Sequence, residues 1–334
     1  MKRTSTILYL VVPCYNEEEV LHKSAAVLLD KLERLIQAGM ISDKSKILFV
    51  NDGSKDSTWQ IIYELTRQNN KYAGLSFSRN YGHQSAILAG MMAARSKADA
   101  VVTIDADLQQ DIEALDKFLE CYQNGCEIVY GVRNDRDTDG VFKKTTAGLF
   151  YKLMHLLGCQ TITNHADYRL MSKKALDALS EFHETNLFLR GLIPTMGFQS
   201  DIVYFDVKER EAGQSKYTLK KMMTLAVDGI TSMSTRPLQM IVVLGFLTFL
   251  FSIGLFISCI VDWSNGEVVA GWTTTVASTC LIGGITLLSQ GIIGEYIGKI
   301  YMESKGRPRY IVDSMILRDA EDSAEEEQEN ERND

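Results

Sequence analysis

Two carboxylates one residue apart close an apolar run in this 334-residue chain: Thr103-Ile104-Asp105-Ala106-Asp107-Leu108-Gln109 follows Ala100-Val101-Val102. Side chains alternate across a strand, so Asp105 and Asp107 share a face if the strand stays regular. They fall where strand gives way to loop, the edge at which α/β sheets bind ligands. Hard divalent cations take oxygen ligands and complete their shell with substrate phosphates, which an Asp-x-Asp pair allows. Gln109 offers a further carbonyl oxygen. Standing alone, the pair equally suits a surface turn, where Asp is common. The rest of the chain has to decide.

The elements that must hold the pair alternate. Strand-like runs at Ile7–Val12, Lys46–Val50, Gly74–Phe77, Ala100–Ile104 and Glu127–Tyr130 are separated by helical patterns at Glu18–Ala38, Ser57–Asn69, Gln84–Ala94 and Ile112–Gln123. This predicts an α/β fold with a mostly parallel sheet and helices on both faces. In Val12-Pro13-Cys14-Tyr15-Asn16-Glu17-Glu18, Pro13 stops the sheet ladder, Asn16 suits a helix cap and the acids favour a helix N-terminus. In Asn51-Asp52-Gly53-Ser54-Lys55-Asp56-Ser57-Thr58, Asp56 or Ser57 suits a cap. Asp52, at the strand end, is suited to accept hydrogen bonds from a base or ribose. Neither loop is a glycine-rich phosphate cradle, so a P-loop and a dinucleotide fingerprint are both absent.

The formal charge of −8 is local: Asp319–Asp334 holds nine acids and one arginine, leaving 34 acids against 34 bases. Such a block reads as a solvated tail, and no basic excess points to nucleic acid. Six cysteines (Cys14, Cys121, Cys126, Cys159, Cys259, Cys280) show neither metal spacing nor a disulfide pattern, as in a cytosol-facing protein. No signal peptide is visible. Leu238–Val261 and Val268–Gly294 are uncharged and longer than the ~20 residues that span a bilayer. Lys220, Lys221 and Arg236 precede the first, and Lys299, Lys305, Arg307 and Arg309 follow the second, while the loop between them is acidic. By the positive-inside rule both flanks are cytoplasmic.

Four segments at strand ends, Val12 to Glu18, Val50 to Thr58, Ser78-Arg79-Asn80-Tyr81-Gly82-His83 and Asp105 to Gln109, make the chain similar to family 2 glycosyltransferases of the GT-A fold. With the two apolar stretches it resembles the bacterial polyprenyl-phosphate glycosyltransferases, relatives of dolichyl-phosphate mannose synthase that include the bactoprenol glucosyltransferases. The resemblance covers about residues 5–312. It implies that Pro13, Tyr15, Glu17 and Asp52 contact the nucleoside of a nucleotide-sugar donor, with Arg79, Asp105 and Ala106 beside it. It also implies that Asp105, Asp107 and Gln109 hold Mg²⁺ or Mn²⁺.

Asp167-Tyr168-Arg169-Leu170 and Glu209 to Tyr217 resemble the family's Asp-Phe-Arg-Leu and Arg-x-x-Gly-x-Ser-Lys-Tyr segments. Arg133, Arg169, Arg210 and Lys216 therefore suit a lipid phosphate, which Arg binds bidentately and Lys as a point charge. Asp167 takes the place of the general base of relatives with hydroxyl acceptors; a phosphate acceptor is already ionised, and the role of Asp167 stays open. His83 and His165 lie near the site by motif order, and each reads as a neutral structural or hydrogen-bonding residue. Phe142–Leu157 and Lys216–Met233 are basic amphipathic patterns suited to a bilayer surface. Gly294 and Gly298 form a small-xxx-small pair that allows close helix approach.

The expected organisation is a GT-A catalytic domain at 1–214 with its acceptor half at about 132–214, an interfacial helix at 215–236, a transmembrane hairpin at 237–298, a cytoplasmic return segment at 299–318 and a disordered tail at 319–334. The expected activity is inverting transfer of one sugar, glucose or N-acetylglucosamine, from a UDP-sugar to undecaprenyl phosphate, by a two-span membrane protein with both termini cytoplasmic, with monomer and homo-oligomer both left open. A processive polysaccharide synthase is the nearest rival, but Asn186-Leu187-Phe188-Leu189-Arg190-Gly191 lacks the Gln-x-x-Arg-Trp motif of that class. A silent membrane scaffold is the other, and intact carboxylates and cations argue against it.

Overall fold

The computed structural model describes residues 6–134, 165–185, 188–206, 231, 234–265 and 271–317. They fall into two compact units, one of Met1–Gly148, Thr161–Lys216 and Pro308–Asp334, the other of Leu149–Gln160 and Tyr217–Arg307. The expected interfacial helices at Phe142–Leu157 and, Thr231 apart, Lys216–Met233, together with Arg210, Lys216 and the acidic tail, lie outside the described residues.

The first unit is built on an eight-stranded sheet. Its strands are β1 (Leu8–Cys14), β2 (Lys46–Asn51), β3 (Tyr72–Phe77), β4 (Ala100–Thr103), β5 (Ile128–Arg133), β6 (His165–Ser172), β7 (Ser200–Phe205) and β8 (Val312–Ile316), in spatial order β7-β5-β6-β4-β1-β2-β3-β8. β1 pairs in parallel with both β2 and β4, and β2 with β3, while β6 runs antiparallel to β4 and β5. The chain thus winds outward from β1 through β3, then returns to the other side of β1 as β4. That reversal opens a crevice at the carboxyl ends of β1 and β4.

Helices α1 (Leu21–Gln37), α2 (Thr58–Gln68), α3 (His83–Ala94) and α4 (Ala114–Gln123) link the first five strands as the alternation predicts. Both faces of β1 are dry: Leu8, Leu10 and Val12 enter one core and Tyr9 and Val11 the other. α1 buries Leu21, Ala25, Leu28, Leu32 and Leu35, a helical stripe, in the first core. α3 lies on the opposite face, and Gly90 brings it close: a Cβ there would stand 2.3 Å from Val11 Cγ1. α1 starts at Leu21 rather than Glu18 because the Glu17 and Glu18 N–H groups donate to Thr58 Oγ1 and Asp56 Oδ2 of the neighbouring loop. Two short helices, α5 (Lys173–Ser180) and α6 (Leu189–Thr195), follow β6.

The segment after the second apolar stretch, expected to be a simple return, contributes a strand. β8 pairs antiparallel with β3, Tyr310 stacks on Phe77 at 5.1 Å, and the Ser78 N–H donates to the Ile311 carbonyl at 3.2 Å. The second unit holds α7 (Arg236–Ser264) and α8 (Trp272–Ser304). Both contain a stretch long and apolar enough, by length and composition, to cross a membrane, and neither stretch is buried among the described residues. α8 runs ten residues past Gly294, through Glu295 and Lys299, since a helix needs no apolar residues to continue. The Tyr296 hydroxyl donates to the Ser234 carbonyl at 2.6 Å. Among the described residues, added Cβ atoms on Gly294 or Gly298 would meet nothing within 4 Å.

Candidate active site

The carboxyl edge of β4 and the start of antiparallel β6 lie side by side, with Thr103 opposite Arg169. One step further along both chains, Asp105 and Asp167 come together. The strand ends at Thr103, yet alternation persists: Ile104 and Ala106 both enter the first core, which leaves Asp105 and Asp107 on the other side. Ala106 is fixed by its carbonyl, which accepts from Ser24 Oγ at 2.6 Å. Leu108 adopts a left-handed backbone (φ 49°), and the turned chain brings Gln110 back onto Asp105. The Gln110 amide donates to Asp105 Oδ2 at 2.5 Å and accepts from the Asp105 N–H at 2.7 Å. Gln110 is thus the glutamine that holds Asp105, while the Gln109 N–H donates to Asp107 Oδ1.

Loops after β1, β2 and β3 complete the rim. Pro13 has no N–H for β4, and pairing on that side ends at Val11, while the ladder toward β2 runs on to Cys14. Asn16 does not cap α1: it is left-handed (φ 55°), and its Oδ1 accepts from the Lys55 N–H at 2.9 Å. Tyr15 is exposed beside it, with Glu17 half-buried. Asp52 is buried, and its carboxylate accepts from the Tyr81 N–H at 2.7 Å and the Gly82 N–H at 3.0 Å. In the described geometry Asp52 therefore binds the Ser78–Gly82 loop. Burial pushes its carboxyl up, opposed by those hydrogen bonds. Gly53 (φ 61°) lets this loop approach, since a Cβ there would lie 2.3 Å from the Arg79 carbonyl carbon. The Arg79 guanidinium sits 4.1 Å over the Tyr81 ring.

His83, the first residue of α3, stands between the carboxylates, with Nε2 3.5 Å from Asp105 Oδ1 and 3.6 Å from Asp167 Oδ2. Burial opposes its protonation, but Asp167 and Asp105 outweigh burial and raise its pKa. Asp167 carries two guanidiniums. Arg169 Nη2 donates to Oδ1 at 2.7 Å, while Arg190 donates from Nε to Oδ1 at 3.1 Å and from Nη2 to Oδ2 at 2.8 Å. Burial works against charge on Asp167, yet Arg190, His83 and Arg169 hold it well below the usual carboxylate range. The Asp105 carboxyl goes the other way. Burial raises it most, with Asp167 and Asp107 adding and His83 opposing.

Arg169 is 0% exposed, so it stands behind Asp167 rather than opening onto the rim. Arg133 is exposed at the end of β5. His165 is buried with its ring edge-on to Tyr130, and burial and then Arg169 push it down to about 2, so it stays neutral. Motif order missed Arg190 and gave His83 no partner. Arg190 belongs to no motif of the resemblance, and His83 meets its carboxylates only through the fold.

The model for "Glycosyl transferase family 2" matches residues 9–180, which include β1 through α5 and both carboxylate loops. The chain belongs to glycosyl transferase family 2. It is 48% identical to the "Uncharacterized glycosyltransferase YkoT" of Bacillus subtilis (strain 168), over 94% of this chain and 93% of the relative. It is 39% identical to the "Bactoprenol glucosyl transferase" of Shigella phage SfX, over 91% and 98%. A "Prophage bactoprenol glucosyl transferase homolog" of Escherichia coli (strain K12) is 37% identical over 91% and 97%. The sheet is that of a GT-A-like glycosyltransferase, and the crevice at β1 and β4 is the edge where this glycosyltransferase carries its charged groups.

A divalent cation fits this edge. Asp105 is pushed up by burial and by two neighbouring carboxylates, a repulsion that a cation beside it would relieve. Among the described residues no three His, Cys, Asp or Glu side chains converge as a metal cage. The glycosyltransferase therefore offers a partial oxygen set of the kind that Mg²⁺ completes with substrate phosphates and water.

Proposed function

We propose that this glycosyltransferase moves a single sugar, glucose or N-acetylglucosamine, from a UDP-sugar onto undecaprenyl phosphate at the cytoplasmic membrane face, with inversion. The observation that carries the reading is the pairing, at one sheet edge, of a cation-seeking Asp105–Asp107 loop with an Asp167 held ionised by two arginines. Similarity along nearly the whole chain to proteins named bactoprenol glucosyl transferase supports the lipid acceptor. Asp105 and Asp107 would hold Mg²⁺ or Mn²⁺, with Gln109 as an added oxygen donor; the bound ion would stabilise the departing diphosphate as a Lewis acid. Pro13, Tyr15, Glu17, Asp52, Arg79 and Ala106 form the donor half of this map, and Arg133, Arg210 and Lys216 the acceptor half, with Arg169 sealed behind Asp167 as its counter-charge.

An ionised lipid phosphate needs no general base, and Asp167, already clamped by cations, is better suited to orient neighbours than to take a proton. On this reading α7 and α8, both long and apolar enough to cross a membrane, anchor the chain as two spans with both ends cytoplasmic, on the side where a lipid-borne phosphate meets the donor. Purified protein in detergent, given undecaprenyl phosphate, Mg²⁺ or Mn²⁺ and a panel of UDP-, GDP- and dTDP-sugars, is expected to yield one lipid product heavier than the carrier by one hexose or N-acetylhexosamine. Donor binding without a lipid product would assign another acceptor. No donor binding would overturn the enzymatic reading.

A further inference from the structure

The two arginines on Asp167 are not equivalent. Arg169 is sealed, and besides Asp167 its Nη1 donates to the Leu189 carbonyl at 3.4 Å. Arg190 holds both oxygens of the same carboxylate, and its side chain is 43% exposed. Backbone contacts fix where Arg190 starts. The Leu189 N–H donates to Gln84 Oε1 at 3.0 Å, while its carbonyl faces Arg169, so the residue before Arg190 is gripped on both sides. Movement at this position belongs to the side chain.

Removing one partner of a buried ion pair is normally costly because a charge is left uncompensated. Asp167 escapes that cost when Arg190 leaves, because Arg169 remains 2.7 Å away. The inner guanidinium is a permanent counter-charge and the outer one an exchangeable counter-charge. A fork of Nε and Nη2 that already grips two carboxylate oxygens matches two oxygens of a phosphate equally well.

We propose that Arg190 is the residue that captures the acceptor's phosphate monoester, trading its two hydrogen bonds to Asp167 for two to the phosphate and returning to Asp167 after product leaves. The exchange moves hydrogen bonds only: no covalent bond and no proton changes hands. It rests on the proposed lipid-phosphate acceptor and adds a phosphate ligand outside the cations named from the sequence.

The test compares full-length wild type, Arg190→Lys and Arg190→Gln in detergent. Steady-state kinetics vary undecaprenyl phosphate and UDP-sugar separately, and calorimetry measures binding of dodecyl phosphate, inorganic phosphate and UDP. Arg190→Gln is expected to raise the KM for the lipid phosphate roughly tenfold or more, the scale of a charge-assisted hydrogen bond. It should weaken dodecyl phosphate to a similar extent and leave UDP binding within about twofold. Arg190→Lys keeps charge without the fork and should fall between. Retained UDP affinity shows that the variants are folded.

A lower kcat with unchanged acceptor KM would overturn the proposal and leave Arg190 as a positioning residue for Asp167. A raised donor KM in place of the acceptor KM would reassign it to the diphosphate. Inorganic phosphate bound as tightly as dodecyl phosphate, and equally sensitive to Arg190→Gln, would overturn the lipid source. If wild type makes no lipid-linked sugar from any donor, the functional reading fails by itself. Dodecyl phosphate binding that is insensitive to Arg190→Gln would then overturn the present inference independently.

Discussion

Gln110 grips Asp105 from two directions, through its backbone N–H and through its carboxylate. Without the amide, a backbone donor loses its partner and the carboxylate loses the contact that aims it. Outer-shell contacts of this kind are worth about 10–100-fold in metal affinity or activity. Gln110→Ala is therefore expected to raise the Mn²⁺ concentration for half-maximal transfer by a factor in that range while donor-independent folding is kept. A metal titration of transfer reads this directly, and an unshifted curve would detach Gln110 from the metal loop. The sequence offered Gln109 as an oxygen donor to the metal and gave no signal for Gln110. Which glutamine turns inward depends on the left-handed Leu108, a backbone state that a leucine codon does not announce. Asp105 and Asp107 were legible as residue types at a strand end, and Asp167 through the resemblance of Asp167-Tyr168-Arg169-Leu170 to a family segment. Arg190 was not, since one arginine in a short helix carries no signal until Asp167 is placed beside it.

Between elements, α1 is pinned to the start of α4 by the buried Lys31, whose Nζ lies 2.6 Å from Glu113 and 3.0 Å from Asp116, with Arg34 adding 2.9 Å to Glu113. Hydrogen bonds from Arg34 and then Lys31 lower Glu113 from an ordinary 4.5 to about 2. A folded-state value below the unfolded one means stability that is fully present above about pH 4.5 and lost as pH falls toward 2. Because Glu113 is half exposed, its share is about 1 kcal/mol or less. Glu113→Gln should accordingly lower the thermal midpoint slightly at pH 7 and match wild type near pH 2. An equal deficit at both pH values would rule out the charge as its source. The helices here were readable because apolar residues recur at helical spacing on α1, α2 and α4, and β1 to β5 because each is a short, mainly apolar run. β8 was not, because Val312-Asp313-Ser314-Met315-Ile316 is short, mixed and half-exposed, and only its partner β3 makes it a strand.

For the molecule as a whole, that last strand ties the end of one unit's chain to the sheet after the other unit has been traversed. The Tyr310 stack on Phe77 and the Ser78–Ile311 hydrogen bond bring it to the loop that leads into His83. A chain stopped after Arg307 keeps every motif named from the sequence up to Lys216, but leaves the β3 edge open. Open edges recruit other chains. Such a chain is expected to elute as aggregate in size-exclusion of detergent extracts, with transfer largely lost; a monodisperse, active product would show β8 to be dispensable. Biosynthesis is subject to the same order. From Phe77 to Val312 a ribosome working at 5–20 residues per second needs on the order of tens of seconds. During that interval both apolar helices must emerge while the nascent sheet waits with one border unzipped, so the enzyme's sheet closes only after both of them have been made.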